Sequence, residues 1–280
     1  MRSSRNTRGS TKASSVSAYL ELGRWQNCLI AAAGVLVGAL WAGWTRPEQI
    51  SIAALTALAF TFAANAFNDA ADEALDAIAH PTRPVPSGRI AATDAEALGR
   101  VALVAGVVLA QFIGVRWLGA LGVLVAGLII VYTISLKRTG LPGNAVVAVL
   151  ASLPFVYGAA AAGNANAGWL LVAIAIPLHL AREIAKDIDD LPGDLGHRRT
   201  VPIRWGLPAA RRLIVVALIV FAVQIIPVAR GWPRLAWLML PALLLTAIGG
   251  WRSTHGLPGA PRALKAAMVC TMLAFVIVRI

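Results

Sequence analysis

Apolar residues fill this chain in long blocks broken by short polar stretches. Each block approaches the ~20 residues that an α-helix needs to cross a bilayer. Such blocks run over roughly 19–44, 49–70, 96–115, 117–135, 144–162, 168–187, 208–228, 234–250 and 262–279. The pattern predicts an all-α polytopic membrane protein with nine transmembrane helices. No long hydrophilic linker divides it, so residues 17–280 are expected to form a single domain. Residues 1–16 are polar, basic and Ser-rich, and are expected to be a disordered tail. The apolar stretch that follows has no small-residue cleavage pattern, and no signal peptide is expected.

Composition agrees with this pattern. The chain is 58% hydrophobic and only 14% charged, which excludes an ordinary soluble domain of this size. The net charge of +12 points toward nucleic acid at first sight, but topology accounts for it better. With the N-terminus in the cytoplasm and the helices alternating, consider the 25 Lys and Arg residues. All but Arg46, Arg116, Arg230, Arg234 and Arg279 then fall on the cytoplasmic side, a strong positive-inside bias. No nucleic-acid partner is expected; the bilayer is. Cys28 and Cys270 sit at apolar helix positions and suit packing, with no CxxC pattern. Oligomeric state is not fixed by the sequence.

The acidic residues are placed very differently from the basic ones. Of the 13, all but Glu21, Glu48, Asp94 and Glu96 lie in two clusters. These fall at the cytoplasmic ends of the second and sixth predicted helices. The first runs Asn68-Asp69-Ala70-Ala71-Asp72-Glu73-Ala74-Leu75-Asp76. The second runs from Glu183 through Lys186, Asp187, Asp189 and Asp190 to Asp194. Charge at the ends of apolar helices is costly and marks function. A helical advance of about 100° per residue puts Asn68, Asp72 and Asp76 on one face, with Asp69 close by. The same advance groups Glu183, Asp187 and Asp190, while Pro192-Gly193 ends the helix and leaves Asp194 on a turn. Carboxylate oxygens are hard ligands that suit Mg²⁺ shared with phosphate oxygens. Cations to hold a diphosphate are close in sequence: Arg83, Arg89, Lys137, Arg138, Arg182, Lys186, Arg198 and Arg199.

Other classes fit less well. An ion transporter would place its acids near mid-helix. Solvated helix ends would not recur at equivalent places in a weak internal repeat. That repeat relates the first four helices to the next four, with Arg24-Trp25-Gln26-Asn27 opening one half and Gly143-Asn144 the other. A transporter, or a lipid-binding protein without catalysis, remains the different-class alternative. His179, Phe155, Tyr157 and the tryptophans suit packing or membrane-interface anchoring, and Asn144 suits a helix cap as well as a substrate contact.

At these residues the chain resembles the UbiA-type superfamily of intramembrane prenyltransferases. The motif N-D-x-x-D-x-x-x-D is complete at Asn68, Asp69, Asp72 and Asp76. The run Arg83-Pro84-Val85-Pro86-Ser87-Gly88-Arg89-Ile90 is similar to the family, as is Arg182 through Asp194 followed by Arg199-Thr200-Val201-Pro202-Ile203. The form of the second motif, with Tyr132 through Lys137 and then Gly143-Asn144, is most like the digeranylgeranylglyceryl phosphate synthase branch. Two positions depart: Trp25 stands where proline is frequent, and His80 where asparagine is usual.

The resemblance implies a cytoplasm-facing cavity in which Mg²⁺ bridges an isoprenyl diphosphate. Asn68, Asp69, Asp72 and Asp76 would hold metal from one side, and Asp187, Asp190 and Asp194 from the other. Lys137, Lys186, Arg83 and Arg182 would contact the diphosphate, with Asp72, Asp76, Asp187, Lys137 and Lys186 the catalytic set. Arg24, Asn27, Ser87, Tyr132 and Asn144 complete the expected substrate contacts. The implied reaction transfers a prenyl group, geranylgeranyl in that branch, to the hydroxyl of geranylgeranylglyceryl phosphate. An aromatic or chlorophyllide-type acceptor is the alternative.

Overall fold

The computed structural model describes residues 16–280. The expected N-terminal tail, Val16 apart, lies outside the described residues. Within them the chain is helical, with no strand. The long helices are α1 (Trp25–Trp41), α2 (Pro47–Ala71), α3 (Ala92–Gln111), α4 (Arg116–Ile134), α5 (Leu141–Ala161), α6 (Ala165–Asp189), α7 (Val201–Gly231), α8 (Leu240–His255) and α9 (Ala260–Ile277). Six of them, α2, α4, α5, α6, α7 and α9, are long and apolar enough to cross a membrane. The protein is a multi-pass membrane protein. Of the others, α1 is apolar but 17 residues long, α8 has 16 residues, and α3 carries Asp94, Glu96 and Arg100 near its start.

Proline positions explain several helix starts. Pro47, Pro142, Pro202, Pro241 and Pro261 lie in the first turn of α2, α5, α7, α8 and α9, where the missing N–H costs nothing. Two boundaries differ from the apolar blocks. The first block divides at Gly23 and Arg24, whose left-handed backbone (φ 47, ψ 60) separates a helical segment over 16–22 from α1. The eighth divides into Pro233–Leu238 and α8. Inside α7, Gly206 leaves the helical path (φ 79, ψ 160), so the straight apolar part starts near Pro208.

Small residues let the helix axes approach closely. A Cβ at Gly38 would run into the Phe155 carbonyl, and one at Gly158 into the Val35 carbonyl, so α1 and α5 meet backbone to backbone. Gly106 and Gly99 of α3 receive the Phe60 and Phe67 rings of α2. The apolar core is one cluster running through the long helices, with a small satellite beneath residues 80–98. Outward faces stay apolar as well, as at Val101, Val104 and Val108 on α3 and Val216, Ile219 and Val223 on α7. Such continuous exposed apolar faces suit lipid rather than water. At the end of the bundle where α1 and α9 finish, Arg279 stacks between the Trp41 and Trp232 rings, 5.4 and 5.2 Å from their centroids. That clasp ties the ends of α1, α7 and α9 together.

Candidate active site

The two acidic motifs meet at the opposite end of the bundle. Helix α2 stops at Ala71, and Asp72 leaves the helical path (φ −104, ψ 11) before a short helix, Glu73–Ala79. Helix α6 stops at Asp189, with Asp190 as its cap, and a single turn, Leu191–Asp194, follows. The two short helices pack on each other, and His80 Nε2 lies 3.4 Å from Asp190 Oδ1. Between them is a polar cavity of about 80 Å³. Asn68, Asp72 and Asp76 line it from the α2 side, and Asp190 and Asp194 from the α6 side. Arg24, Arg83, Tyr132, Lys137 and Lys186 line it too.

Cations already bind these carboxylates. Asp72 Oδ1 accepts from Lys137 Nζ at 2.8 Å and from Arg198 Nη2 at 2.6 Å. Arg198 Nε is also 3.4 Å from Asp194 Oδ1, so this guanidinium bridges the two motifs. Arg83 Nη1 donates to Asp76 Oδ2 at 2.5 Å. Burial pushes the Asp72 carboxyl up, but the Lys137 charge and the Arg198 hydrogen bond outweigh it and hold the group below its ordinary value. Asp194 goes the other way: burial raises it, with Arg198 opposing. Lys137 is positioned by the 3₁₀ turn Leu136–Arg138. That turn is pinned by the Arg199 N–H donating to the Arg138 carbonyl at 3.1 Å. Gly140 beside it has φ 74 and ψ −121, and a Cβ there would sit 2.7 Å from the Arg199 carbonyl oxygen, so only glycine fits.

Asp69, Asp187, Asn144, Arg182, Ser87 and Asn27 lie around this cavity rather than on it. Asp69 is buried and accepts from Arg24 Nη2 at 2.7 Å. Asp187 turns toward α5, where Asn144 Nδ2 donates to its Oδ2 at 2.7 Å. Arg182 and Lys186 both donate to buried Glu183, at 2.7 and 2.8 Å. Ser87 Oγ donates to the Pro84 carbonyl and accepts from Arg89, within its own loop. Asn27 Oδ1 accepts from Lys265 Nζ at 2.7 Å. Arg198 stood among the cations close in sequence to the motifs but outside the expected contact set, and the structure brings it onto Asp72. Lys265 is the site cation that sequence reasoning did not single out, and nothing local signalled it.

The oxygens on the cavity fit Mg²⁺. Asn68 Oδ1 and Asp194 Oδ2 are buried with no hydrogen-bond partner among the described residues. Both are hard donors on opposite walls of one cavity. No group of three His, Cys, Asp or Glu among the described residues forms a ready-made metal cage. Mg²⁺ keeps waters and takes substrate phosphate oxygens rather than an all-protein shell.

A second cavity of about 230 Å³ continues from the polar one into the bundle. Arg24, Asn68, Tyr132 and Lys186 line both. The second is polar at its rim and apolar below, where Ile30, Phe60, Ile129, Leu150 and Met268 line it. Ile30, Ala151, Pro154, His179 and Met268 are shared with a third, almost wholly apolar pocket that ends among Leu171, Phe221 and Phe275. A charged head can therefore sit among the carboxylates and cations while an attached hydrocarbon runs between helices.

Known proteins share this fold. The family model of the UbiA prenyltransferase family matches residues 30–277. A digeranylgeranylglyceryl phosphate synthase of Methanopyrus kandleri is 36% identical over 271 residues, 92% of this chain and 97% of that protein. The apo structure of a UbiA homolog from Aeropyrum pernix K1 superposes with a TM-score of 0.77 at 17% identity, over 90% of this chain and 98% of that one. A UbiA homolog from Archaeoglobus fulgidus bound to GPP and Mg²⁺ superposes with a TM-score of 0.63 at 16% identity, over 93% and 99%. With a family match over nearly the whole chain and an acidic cavity opening onto an apolar one, this chain belongs to the UbiA prenyltransferase family.

Proposed function

We propose that this protein transfers a geranylgeranyl group from its diphosphate to the hydroxyl of geranylgeranylglyceryl phosphate, forming an ether lipid. The observation that carries the reading is the junction of the polar cavity with the apolar one. There, carboxylates and cations meet the mouth of a hydrocarbon-lined space. The Methanopyrus kandleri relative bears the name of that activity. All nine long helices span the bilayer as a single domain, with the acidic cavity on the cytoplasmic side where the diphosphate is available.

Asn68, Asp72 and Asp76 would hold Mg²⁺ from one wall, and Asp190 and Asp194 from the other. Mg²⁺ supplies charge neutralisation to the diphosphate as a leaving group. Lys137, Arg83, Arg198 and Lys186 close on the diphosphate oxygens, giving up part of their hold on the carboxylates. Asp69 orients Arg24, and Asn144 orients Asp187 behind the cavity wall. The allylic C–O bond breaks, its electrons leave with the diphosphate, and positive charge spreads over the allyl carbons. The acceptor oxygen, aligned by the cavity, attacks C1, and its proton passes to the departing diphosphate. Electrostatic stabilisation of the leaving group and proximity of the two lipids supply the rate.

Purified protein in nanodiscs, with labelled geranylgeranyl diphosphate and a set of acceptors, tests this. A Mg²⁺-dependent ether product from geranylgeranylglyceryl phosphate is the expected result. Transfer only to 4-hydroxybenzoate, homogentisate or a chlorophyllide would overturn the acceptor assignment.

A further inference from the structure

We infer that the enzyme has a second anion subsite, built by Lys265, Arg182 and Arg262 between the starts of α1 and α9, which holds the phosphate of the acceptor lipid. The inference rests on the acceptor reading above and adds where that acceptor's charged group is bound. The region is an open mouth of about 670 Å³. Its walls are the starts of α1 and α9, the end of α6 and the loop near His80–Pro84. Arg182 and Lys265 line this mouth and the inner amphipathic cavity, but not the polar cavity of the acidic motifs. Arg24 and Lys186 line all three and stand between the two anion sites.

Six Lys and Arg side chains line the mouth against the four carboxylates Glu21, Asp69, Asp189 and Asp190; Asp189 feels the Arg262 charge, and none of the four forms an ion pair with Lys265. Asp69 takes Arg24, and Glu183 takes both Arg182 and Lys186. Lys265 donates only to the neutral amides of Asn27, at 2.7 Å, and Gln26, at 3.5 Å. Among the described residues neither Lys265 nor Arg262 has a carboxylate within ion-pair distance. The charges of Arg24 and Arg182 both reach Lys265, so like charges converge on it. Arg182 Nε is moreover buried with no hydrogen-bond partner among the described residues. Half-buried cations that repel one another and keep a donor unspent are unfavourable by themselves. They become favourable around a phosphate monoester, which carries about −1.5 to −2 charge. Asn27, held by Lys265, supplies an amide in the same place.

The position suits a lipid better than a free anion. The mouth lies between the starts of two membrane helices, α1 and α9, and basic pockets between such helices receive lipid head groups. The inner cavity beneath continues into hydrocarbon-lined space. An acceptor anchored there by its phosphate would present its glycerol hydroxyl toward Arg24 and Lys186, beside the diphosphate site. The donor needs no such group, since its own charge is met by Lys137, Arg83 and Arg198.

The test uses the full chain in nanodiscs, with wild type, Lys265→Met and Arg262→Gln; Arg262 is exposed, so its change leaves the fold intact. Steady-state kinetics are measured with geranylgeranylglyceryl phosphate and with its dephosphorylated alcohol. The expected result is an acceptor KM raised about ten-fold in Lys265→Met, the loss of one charged hydrogen bond, with donor KM unchanged. Wild type should discriminate strongly against the alcohol, and Lys265→Met much less. Binding of the glyceryl phosphate lipid without Mg²⁺ or donor should weaken in both variants and be competed only poorly by inorganic phosphate. The subsite is overturned if wild type uses the alcohol equally well, or if donor and acceptor KM rise together. Full competition by inorganic phosphate would overturn its assignment to a lipid. Failure of the acceptor reading looks different: wild type then transfers to neither glycerol lipid while still consuming the donor on an aromatic acceptor.

Discussion

Asp72 is the point where removing one charge should cost most. Its Oδ1 holds Lys137 and Arg198 together, at 2.8 and 2.6 Å, and the Lys137 side chain is only 4% exposed. In Asp72→Ala the buried Lys137 is left without a carboxylate, facing Arg198, which keeps only the longer contact to Asp194. Breaking a buried pair in this way costs about 3–5 kcal/mol, most of it from the charge left unpaired. In Lys137→Met the opposite holds: Asp72 keeps Arg198, the vacated volume is filled by a similar side chain, and the loss should stay near 1 kcal/mol. The double variant Asp72→Ala/Lys137→Met removes the repulsion as well. It should recover about 1–3 kcal/mol relative to the sum of the singles. Thermal or denaturant unfolding of the ligand-free protein in one detergent, at one scan rate, measures all four. Equal losses in the two single variants, or strict additivity in the double, would refute the idea that Asp72 is held between two cations. Activity should fall in both single variants regardless.

Four further outcomes are expected. Chelation by EDTA should abolish transfer and added Mg²⁺ should restore it, while Asp190→Asn should lower kcat by about 10²-fold or more through lost leaving-group stabilisation, read by radiolabelled product. Asn144→Ala leaves a half-buried Asp187 oxygen without its donor, so stability should drop by about 1–3 kcal/mol and kcat should fall with donor KM little changed. Gly158→Ala forces a methyl group against the Val35 carbonyl; separation of α1 from α5 should cost about 1–3 kcal/mol in unfolding assays. A single cysteine placed at Arg199 in a Cys28→Ala/Cys270→Ala background should react with a membrane-impermeant thiol reagent only from the cytoplasmic side, and labelling from outside in intact cells would reverse the orientation.

Much of this protein was legible in its chain. Apolar blocks near the span length had to become helices, because lipid leaves no other partner for the backbone. The paired acidic motifs mark the ends of α2 and α6. Asn68, Asp72, Asp76, Asp190 and Asp194 do line one cavity. What helical arithmetic could not do was follow the chain past a helix end. It put Asp69 and Asp187 with their neighbours on a common face. Yet α2 stops at Ala71 and the chain turns at Asp72, so Asp76 returns to the cavity while Asp69 points at Arg24. On α6, Asp187 belongs to the side packed on α5, and only the cap residue Asp190 and the turn at Asp194 reach the cavity.

The partners of the carboxylates were less visible still. Arg198 meets Asp72 across 126 positions of chain, and Lys265 meets Asn27 across 238. No local pattern encodes such meetings; they follow from which helices pack side by side. Local spacing and hydrophobicity thus determined the helices and the chemistry they could carry. Helix ends, the close crossing of α1 on α5 and the closure of α9 against α1 decided which charges share a cavity, because electrostatic neighbours are set by distance in space and not by distance along the chain.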